Sequence, residues 1–419
     1  MSFADKYLQK HLFIEQQIQE PPSGLLRFVV VIPAYSEDKI LDTLNSVKKA
    51  HLPQGHIEVI IIVNYAETED EQVKKENEEI FKRILKWSKV NSSPQLKFFG
   101  ILAADMPEKH AGAGLARKIG MDESVNRFNM LNRPQGLILS LDADASVEIN
   151  YFKAIEDVMN KNDGPDGCIL RFEHPVSGTD YPQEVYNAII QYELHLRYYK
   201  QMLHYIGFPY ARYTIGSCFG VTADAYIKHG GMNRRKAGED FYFLNKVFPN
   251  AKFVDINSTC VHPSPRISNR VPFGTGPEIA RMIGKPDGKY YTYSPQSFAD
   301  LKLFIEKTEK FYRLKGAELK NEITGFSEPL KEFLTENEFN KKLNEISLNT
   351  ASFESFGKRF FNWFDAFKIV KYLNYSHKSH YKKVIAEEAV KEYFMLKGIL
   401  YDRFEPFDLL SKMRELEMV

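Results

Sequence analysis

The sequence is poor in cysteine and tryptophan, and it has no long apolar run. Its three cysteines, Cys168, Cys218 and Cys260, are widely spaced, so they form neither a disulfide framework nor a C-x-x-C metal motif. No apolar run reaches the roughly 20 residues of a transmembrane helix, and the polar N-terminal segment contains no signal-peptide core. These features predict a protein of the reducing cytoplasm, and they leave open a peripheral contact with the inner face of a membrane.

The chain also lacks an excess of charge of either sign. Lys and Arg number 56 and Asp and Glu number 55, which gives a formal net charge of +1. Such a balance provides no long-range field toward a polyanion, so nucleic acid is not an expected partner. The 419 residues, of which 43% are hydrophobic, are enough for two domains with cores of their own.

What the sequence does contain is an alternation of β-branched runs with segments whose apolar residues have helical spacing. Short connections between them predict an α/β fold with a doubly wound mixed sheet, largely parallel. The predicted strands are 28–35, 58–66, 96–104, 137–144 and 167–175, with a last strand ending at His262. A long helix is predicted over 183–205, and residues 216–231 are predicted to form a short strand and a turn.

Helical patterns dominate after about residue 301, where glycines become fewer. We therefore predict a helical arm over 1–26, an α/β domain over 27–290 and a helical module over 291–419. One segment of that module, residues 359–383, mixes aromatic side chains with Lys, Arg and His. It suits either a helix on a membrane surface or the core of the module.

The segment LILSLDAD, Leu137–Asp144, combines a buried strand pattern with two carboxylates. In an extended chain, residues i and i+2 point the same way, so Asp142 and Asp144 would project together from the carboxyl end of the strand. Ligands of open α/β sheets bind at that edge, and paired carboxylates suit a hard divalent cation. An acidic exit from a strand, without a ligand, is the alternative.

Four motifs in order extend this interpretation. VVIPAYSE (residues 30–37), LDADA (141–145), GED (238–240) and His262 after the following strand resemble the family 2 glycosyltransferases with a GT-A fold. The resemblance covers roughly residues 27–285. It implies inverting transfer of a sugar from a nucleotide-diphosphate sugar, such as a UDP- or GDP-sugar, to a hydroxyl of a saccharide or lipid-linked acceptor, with Mn²⁺ or Mg²⁺ as cofactor.

The resemblance also implies roles in donor binding. Pro33, Tyr35 and Glu37 would lie at the nucleobase and ribose, with Tyr35 stacking on the base. Asn64 ends the second strand, where the family more often has an aspartate that reads uracil. Gly112 and Arg117, in and after the HAGAG loop, would approach the diphosphate, because glycine permits close approach and a guanidinium offsets phosphate charge.

The remaining roles concern the metal and the acceptor, and they too follow from the resemblance. Asp142 would contact the ribose or a metal-bound water, while Asp144 and His262 would be metal ligands. Asp240 would be the base that deprotonates the acceptor hydroxyl, and its neighbour Glu239 would hold the acceptor or the donor sugar. Two small residues, Gly216 and Ser217, would line the acceptor side.

Two further readings remain beside the leading one. A nucleotidyltransferase of related fold would carry a Gly-rich, basic signature after the first strand, where this chain has PAYSEDKI. A non-catalytic nucleotide-sugar-binding protein would not need both DAD carboxylates and Asp240. The chain lacks the Q-x-x-R-W motif of processive family members, which favours single additions.

The basic loop around Arg266 and Arg270 is either a lid over the diphosphate or a linker.

Overall fold

The structure is a computed structural model that describes residues 2–160, 164–268, 270, 274–314 and 316–418. The chain divides into two units, each assembled from separate segments. Unit 1 comprises Met1–Pro175, Thr214–Pro265 and Asn269–Gly274, and unit 2 comprises Val176–Tyr213, Arg266–Ser268 and Thr275–Val419.

Unit 1 is built on an eight-stranded mixed sheet in the order β3-β2-β1-β4-β7-β6-β8-β5. Its strands are β1 (Leu26–Ala34), β2 (His56–Ala66), β3 (Leu96–Met106), β4 (Leu137–Ser140), β5 (Ser146–Val147), β6 (Gly167–Phe172), β7 (Phe219–Thr222) and β8 (Phe253–His262). Strands β1 to β4 are parallel, whereas β7 runs antiparallel to both β4 and β6. The predicted α/β fold with a mixed sheet is confirmed.

The first helix of unit 1 precedes β1 in the chain, and the other helices of this unit lie between the strands. In order, the helices are α1 (Asp5–His11), α2 (Ile40–Lys49), α3 (Glu71–Asn91), α4 (Ala113–Met130), α5 (Tyr151–Met159), α7 (Ala223–Lys228) and α8 (Glu239–Val247), with a 3₁₀ turn at Phe248–Asn250. The intervening α6 (Gln183–Tyr205) lies in unit 2.

The core of unit 1 lies around β1 and β2. Residues 28–32 of β1 have no exposed surface, a continuous burial that parallel strands show when helices cover both faces. Helix α4 packs on these two strands so closely that a Cβ on Gly120 would collide with Val31 and Ile62. The predicted site residues at the ends of these strands therefore follow closely packed, buried strands.

Two local features of unit 1 differ from the prediction. Strand β4 ends at Ser140, and the chain then turns at residues 143–144, where the Thr43 hydroxyl donates to the Ala143 carbonyl at 2.8 Å. The i, i+2 rule for an extended chain therefore does not apply to the DAD carboxylates. Residues 223–228, predicted as a turn, form α7, because the Thr222 hydroxyl caps the helix by accepting from the Ala225 amide at 3.2 Å.

Unit 2 is mostly helical. Its helices are α6, α9 (Thr275–Ile283), α10 (Pro295–Glu306), α11 (Thr308–Arg313), α12 (Gly316–Thr324), α13 (Glu328–Glu336), α14 (Phe339–Leu348), α15 (Phe353–Trp363), α16 (Ala366–Ser379), α17 (Ala386–Lys397) and α18 (Pro406–Leu416). Two short strands, β9 (Tyr291–Thr292) and β10 (Val384–Ile385), pair antiparallel. The predicted C-terminal helical region is confirmed.

Helix α6 was expected within the α/β domain, yet it belongs to unit 2. There it packs against α9, α17 and α18. Its Glu193 accepts from Arg197 at 2.9 Å and from two nitrogens of Arg414 at 2.8 and 2.9 Å, and Arg197 also pairs with Glu417. Because these charged groups are buried or nearly so, they tie α18 to α6 specifically.

The aromatic segment 359–383 contributes to the core of unit 2. Phe360, Phe364 and Tyr372 have no exposed surface, and the Phe304 ring lies 4.7 Å from that of Phe364 and 5.6 Å from that of Phe360. The aromatic spacing of this segment thus serves packing within the unit. Among all the helices that the structure describes, none combines the length and the apolarity needed to cross a bilayer.

Candidate active site

The parallel arrangement of β1, β2 and β4 brings predicted site residues to one edge of the sheet of unit 1. Ala34 pairs with Val63 across β1 and β2, and Val31 pairs with Ser140 across β1 and β4. Pro33, Asn64 and Asp142, which end or follow these strands, therefore lie at the same edge. This is where open α/β sheets bind ligands.

Tyr35 and Glu37 follow β1 and have protein partners. The Tyr35 hydroxyl donates to Glu69 at 2.9 Å, and burial together with Glu69 raises the pKa of Tyr35 to about 12. The Glu37 carboxylate is buried and accepts from Arg270 at 3.0 Å. Between them Ser36 adopts a left-handed φ of +45°, an unusual conformation for a non-glycine residue that its neighbours must hold in place.

Arg270 lies in the basic loop that was predicted to be a lid or a linker. It donates to the Ser36 carbonyl at 2.5 Å as well as to Glu37. Residues 269 and 271–273 of the same loop lie outside the described part of the chain. The sequence named Arg270 only as part of this loop, and its bond to Glu37 brings it beside a predicted donor-binding residue.

The HAGAG loop meets the loop that precedes α8. The buried Asn64 amide donates to the Gly112 carbonyl at 3.2 Å and so fixes this loop. A Cβ on Gly112 would lie 3.1 Å from the Lys236 Cα, and one on Gly114 would run into the Arg235 carbonyl. Glycine is needed here because two backbones approach each other closely, which brings Arg235 and Lys236 beside the site.

Arg117, on α4, connects three parts of unit 1. Its buried guanidinium donates to the Ser140 hydroxyl at 3.1 Å, to Glu239 at 3.3 Å and to Asp142. The sequence suggested that Arg117 faces phosphate, whereas its hydrogen bonds here go to protein groups. A permanently charged, buried guanidinium holds both carboxylates in fixed positions.

Asp240 lies beside this arrangement at the start of α8. The residue is half-buried, and burial followed by the negative charge of Glu239 raises the pKa of its carboxyl to about 7, although Arg117 acts in the opposite direction. Burial also raises the pKa of Glu239. A carboxyl group with a pKa near neutrality can both accept and release a proton under physiological conditions.

The small residues Gly216 and Ser217 adjoin this cluster. A Cβ on Gly216 would collide with the Arg117 guanidinium and would lie 3.2 Å from Asp240 Oδ2. Ser217 is fully buried, and its hydroxyl lies 3.4 Å from the Cys218 sulfur. The structure thus brings Arg117, Asp142, Gly216, Glu239 and Asp240 together in one cluster.

His262 ends β8, on the same sheet. Its Nδ1 lies 2.9 Å from the Glu173 carbonyl, and Ser146 pairs with His262 across β5 and β8. The half-buried Asp144 precedes Ser146 by two residues, so the chain carries it toward His262. Glu148 Oε1, which the prediction did not include, lies 3.9 Å from His262 Nε2, and no motif in the sequence singled it out.

No protein-family model and no curated protein matches this chain. One solved structure similar to it is TarS 1–349 of S. aureus in complex with UDP-GlcNAc, with 14% identity, a TM-score of 0.40 and coverage of 94% of this chain and 91% of that one. Another is the mannosyltransferase PcManGT from Pyrobaculum calidifontis in complex with GDP-Man and Mn²⁺, with 10% identity, a TM-score of 0.36 and coverage of 98% and 89%. With both TM-scores below 0.5, these similarities say nothing about the chemistry of this chain.

Proposed function

We propose that this protein is a metal-dependent glycosyltransferase that moves a sugar from a UDP- or GDP-sugar to a hydroxyl of a saccharide or lipid-linked acceptor. The transfer is inverting and non-processive. The observation that carries the proposal is Asp240, whose pKa is raised to about 7 and which lies beside Gly216 and the buried Arg117. A carboxyl group so placed suits the deprotonation of an attacking hydroxyl.

In this proposal the nucleotide lies along the ends of β1 and β2. The Tyr35 ring stacks on the base, and Glu37 accepts from the ribose hydroxyls beside Pro33. Arg270, which already holds Glu37, supplies positive charge at this end of the site. Asn64 acts indirectly, because its hydrogen bond to the Gly112 carbonyl sets the position of the loop that approaches the diphosphate.

Asp144 and His262 are the residues that would hold Mn²⁺ or Mg²⁺. A carboxylate oxygen and an imidazole nitrogen together suit Mn²⁺. The bond from His262 Nδ1 to the Glu173 carbonyl leaves the Nε2 lone pair for a ligand, the arrangement usual for metal-binding histidines. When bound, such a cation offsets the negative charge that develops on the leaving nucleoside diphosphate.

The chain's own groups perform the proton transfer. The acceptor hydroxyl binds at the exposed part of Asp240, next to the segment of Gly216 and Ser217, and its proton passes to Asp240 as the oxygen attacks the anomeric carbon from the side opposite the leaving group. Arg117 keeps Asp142 and Glu239 in place, so that Glu239 can hold the acceptor or the donor sugar. Release of the nucleoside diphosphate completes the transfer.

The first test is a thermal-shift panel of UDP-GlcNAc, GDP-mannose and representative CDP- and dTDP-sugars, each with and without Mn²⁺. We expect one nucleotide to raise the melting temperature only in the presence of the metal, since a ligand that binds the native state stabilises it. Absence of a shift with every donor would contradict the proposal. A product assay distinguishes the alternatives, because a nucleotidyltransferase would release pyrophosphate from a nucleoside triphosphate and a sugar phosphate, whereas a binding protein would form no product.

The second test separates binding from chemistry. Asp240→Asn should lower transfer at least about a hundredfold while leaving the metal-dependent shift with donor intact. Asp144→Ala and His262→Ala should weaken that shift itself. Asp157→Asn, an exposed change on α5, is the matched control and should leave both measurements unchanged. Retention of activity in Asp240→Asn would place the base elsewhere.

A further inference from the structure

Three side chains of different metal-binding chemistry converge where β5 meets β8. The ligand atoms of Glu148, Cys260 and His262 all lie within 4.8 Å of one another. Cys260 and His262 are two residues apart on β8 and so face the same side. Glu148 follows β5 directly, and its amide donates to the Cys260 carbonyl at 3.1 Å. The backbone pairing itself therefore brings the three groups together.

The hydrogen bonding of His262 leaves a ligand atom exposed to this cluster. A carbonyl can only accept, so Nδ1, 2.9 Å from the Glu173 carbonyl, carries the proton of the neutral ring. The Nε2 lone pair then faces Glu148 Oε1 at 3.9 Å. Two electron-rich atoms that face each other in this way are suited to a cation between them.

Arg171 is a cation that lies close to the Glu148 carboxylate. Its guanidinium lies 2.8 Å from Glu173 and 3.7 Å from Glu148 Oε1. The shorter contact is a hydrogen bond and the longer one is not. Arg171 thus forms a hydrogen bond with Glu173 and only a longer contact with Glu148, so the half-exposed Glu148 can turn toward a ligand without breaking that hydrogen bond.

We propose that Glu148, Cys260 and His262 form a binding site for a thiophilic divalent cation of the Zn²⁺ class, with water as the fourth ligand. Thiolate and imidazole select Zn²⁺ or Cd²⁺ over Mg²⁺, and this ligand set is of the open, three-residue kind. On binding, the Cys260 thiol loses its proton to solvent. Occupancy removes His262 from the set proposed to hold Mn²⁺ with Asp144, so Zn²⁺ inhibits transfer; this last step rests on the proposed function.

Direct binding is tested by titrating Cd²⁺ into the metal-free, full-length protein and recording the ultraviolet thiolate-to-cadmium charge-transfer band. We expect a band that saturates at one equivalent, that disappears in Cys260→Ser and Cys260→Ala, and that needs at least about tenfold more Cd²⁺ in Glu148→Gln. Cys168→Ser, which changes an equally buried cysteine of β6, is the matched control and should keep the band. No band in the wild type, or a band that survives in both Cys260 variants, overturns the proposal.

Inhibition is tested by adding Zn²⁺ to the Mn²⁺-dependent transfer reaction. The Zn²⁺ concentration for half-inhibition should rise at least about tenfold in Cys260→Ser and stay unchanged in Cys168→Ser. Equal inhibition in both variants would refute competition at this site. If no transfer occurs in any protein, the proposed function fails while the cadmium band still decides the metal site, so the two failures are distinguishable.

Discussion

The ionisation of Asp240 determines the pH at which the proposed transfer proceeds. Because the pKa of this carboxyl is raised to about 7, the base is protonated below that pH and ionised above it. The rate should therefore fall as the pH decreases through about 7. Glu239→Gln removes the neighbouring negative charge and should move this acid limb to lower pH, as a pH–rate profile would show. An unmoved limb would mean that another group titrates.

Gly216 is required because of what surrounds it. Any Cβ there meets the Arg117 guanidinium and Asp240 Oδ2, so Gly216→Ala should cost about 1–3 kcal/mol of stability and lower transfer at least tenfold. Gly24→Ala is the control, since nothing lies within 4 Å of its Cβ, and it should change stability by less than about 0.5 kcal/mol. Denaturant titration and initial rates measure both, and equal behaviour of the two variants would contradict the close approach.

The sequence indicated which candidate residues lie close together more reliably than it indicated the hydrogen-bond partner of each. Motif order selected Asp142, Glu239 and Asp240, which the fold does bring together with Arg117. Arg117 was expected to face phosphate, and its bond to Glu239 was not foreseen, because these two residues are 122 positions apart in the chain and meet only in the tertiary structure. Local patterns cannot encode such a pairing.

At the level of elements, long periodic segments were predicted well and short ones were not. The helix over 183–205 matches α6 at both ends. Strand β4 was predicted four residues too long, because the apolar run in the sequence continues through Leu141. The Leu141 amide still donates to the Val31 carbonyl, but the chain then turns at residues 143–144. The six-residue α7 has too few residues for a helical period and is revealed only by its Thr222 cap.

The attachment of α18 to α6 depends on the carboxylate of Glu193. Glu193→Ala removes the acceptor that Arg197 and Arg414 share and should lower the free energy of unfolding by about 3–5 kcal/mol. Glu184→Ala, an exposed change in the first turn of the same helix, is the control and should cost less than about 0.5 kcal/mol. Denaturant midpoints for the two variants measure the difference. A similar loss in both would show that the ion pairs add no stability.

For the whole molecule, the proposed site residues all belong to unit 1. Donor with Mn²⁺ should therefore slow amide exchange in peptides covering 30–37, 110–118 and 216–240, and leave the helices after residue 328 unchanged. Hydrogen–deuterium exchange read by mass spectrometry measures this. Asp144→Ala should lose the protection and Asp240→Asn should keep it. Protection restricted to unit 2 would contradict the placement of the site.

The interruption of unit 1 by α6 has a consequence for synthesis on the ribosome. Strands β1 to β6 leave the exit tunnel first, whereas β7, β8 and Asp240 follow only after α6. Until then one edge of β4 has no neighbour, and an unpaired edge can recruit other nascent chains. The edge of β4 thus stays unpaired until β7 has been synthesised, and Asp240 and then β8 follow later in the chain.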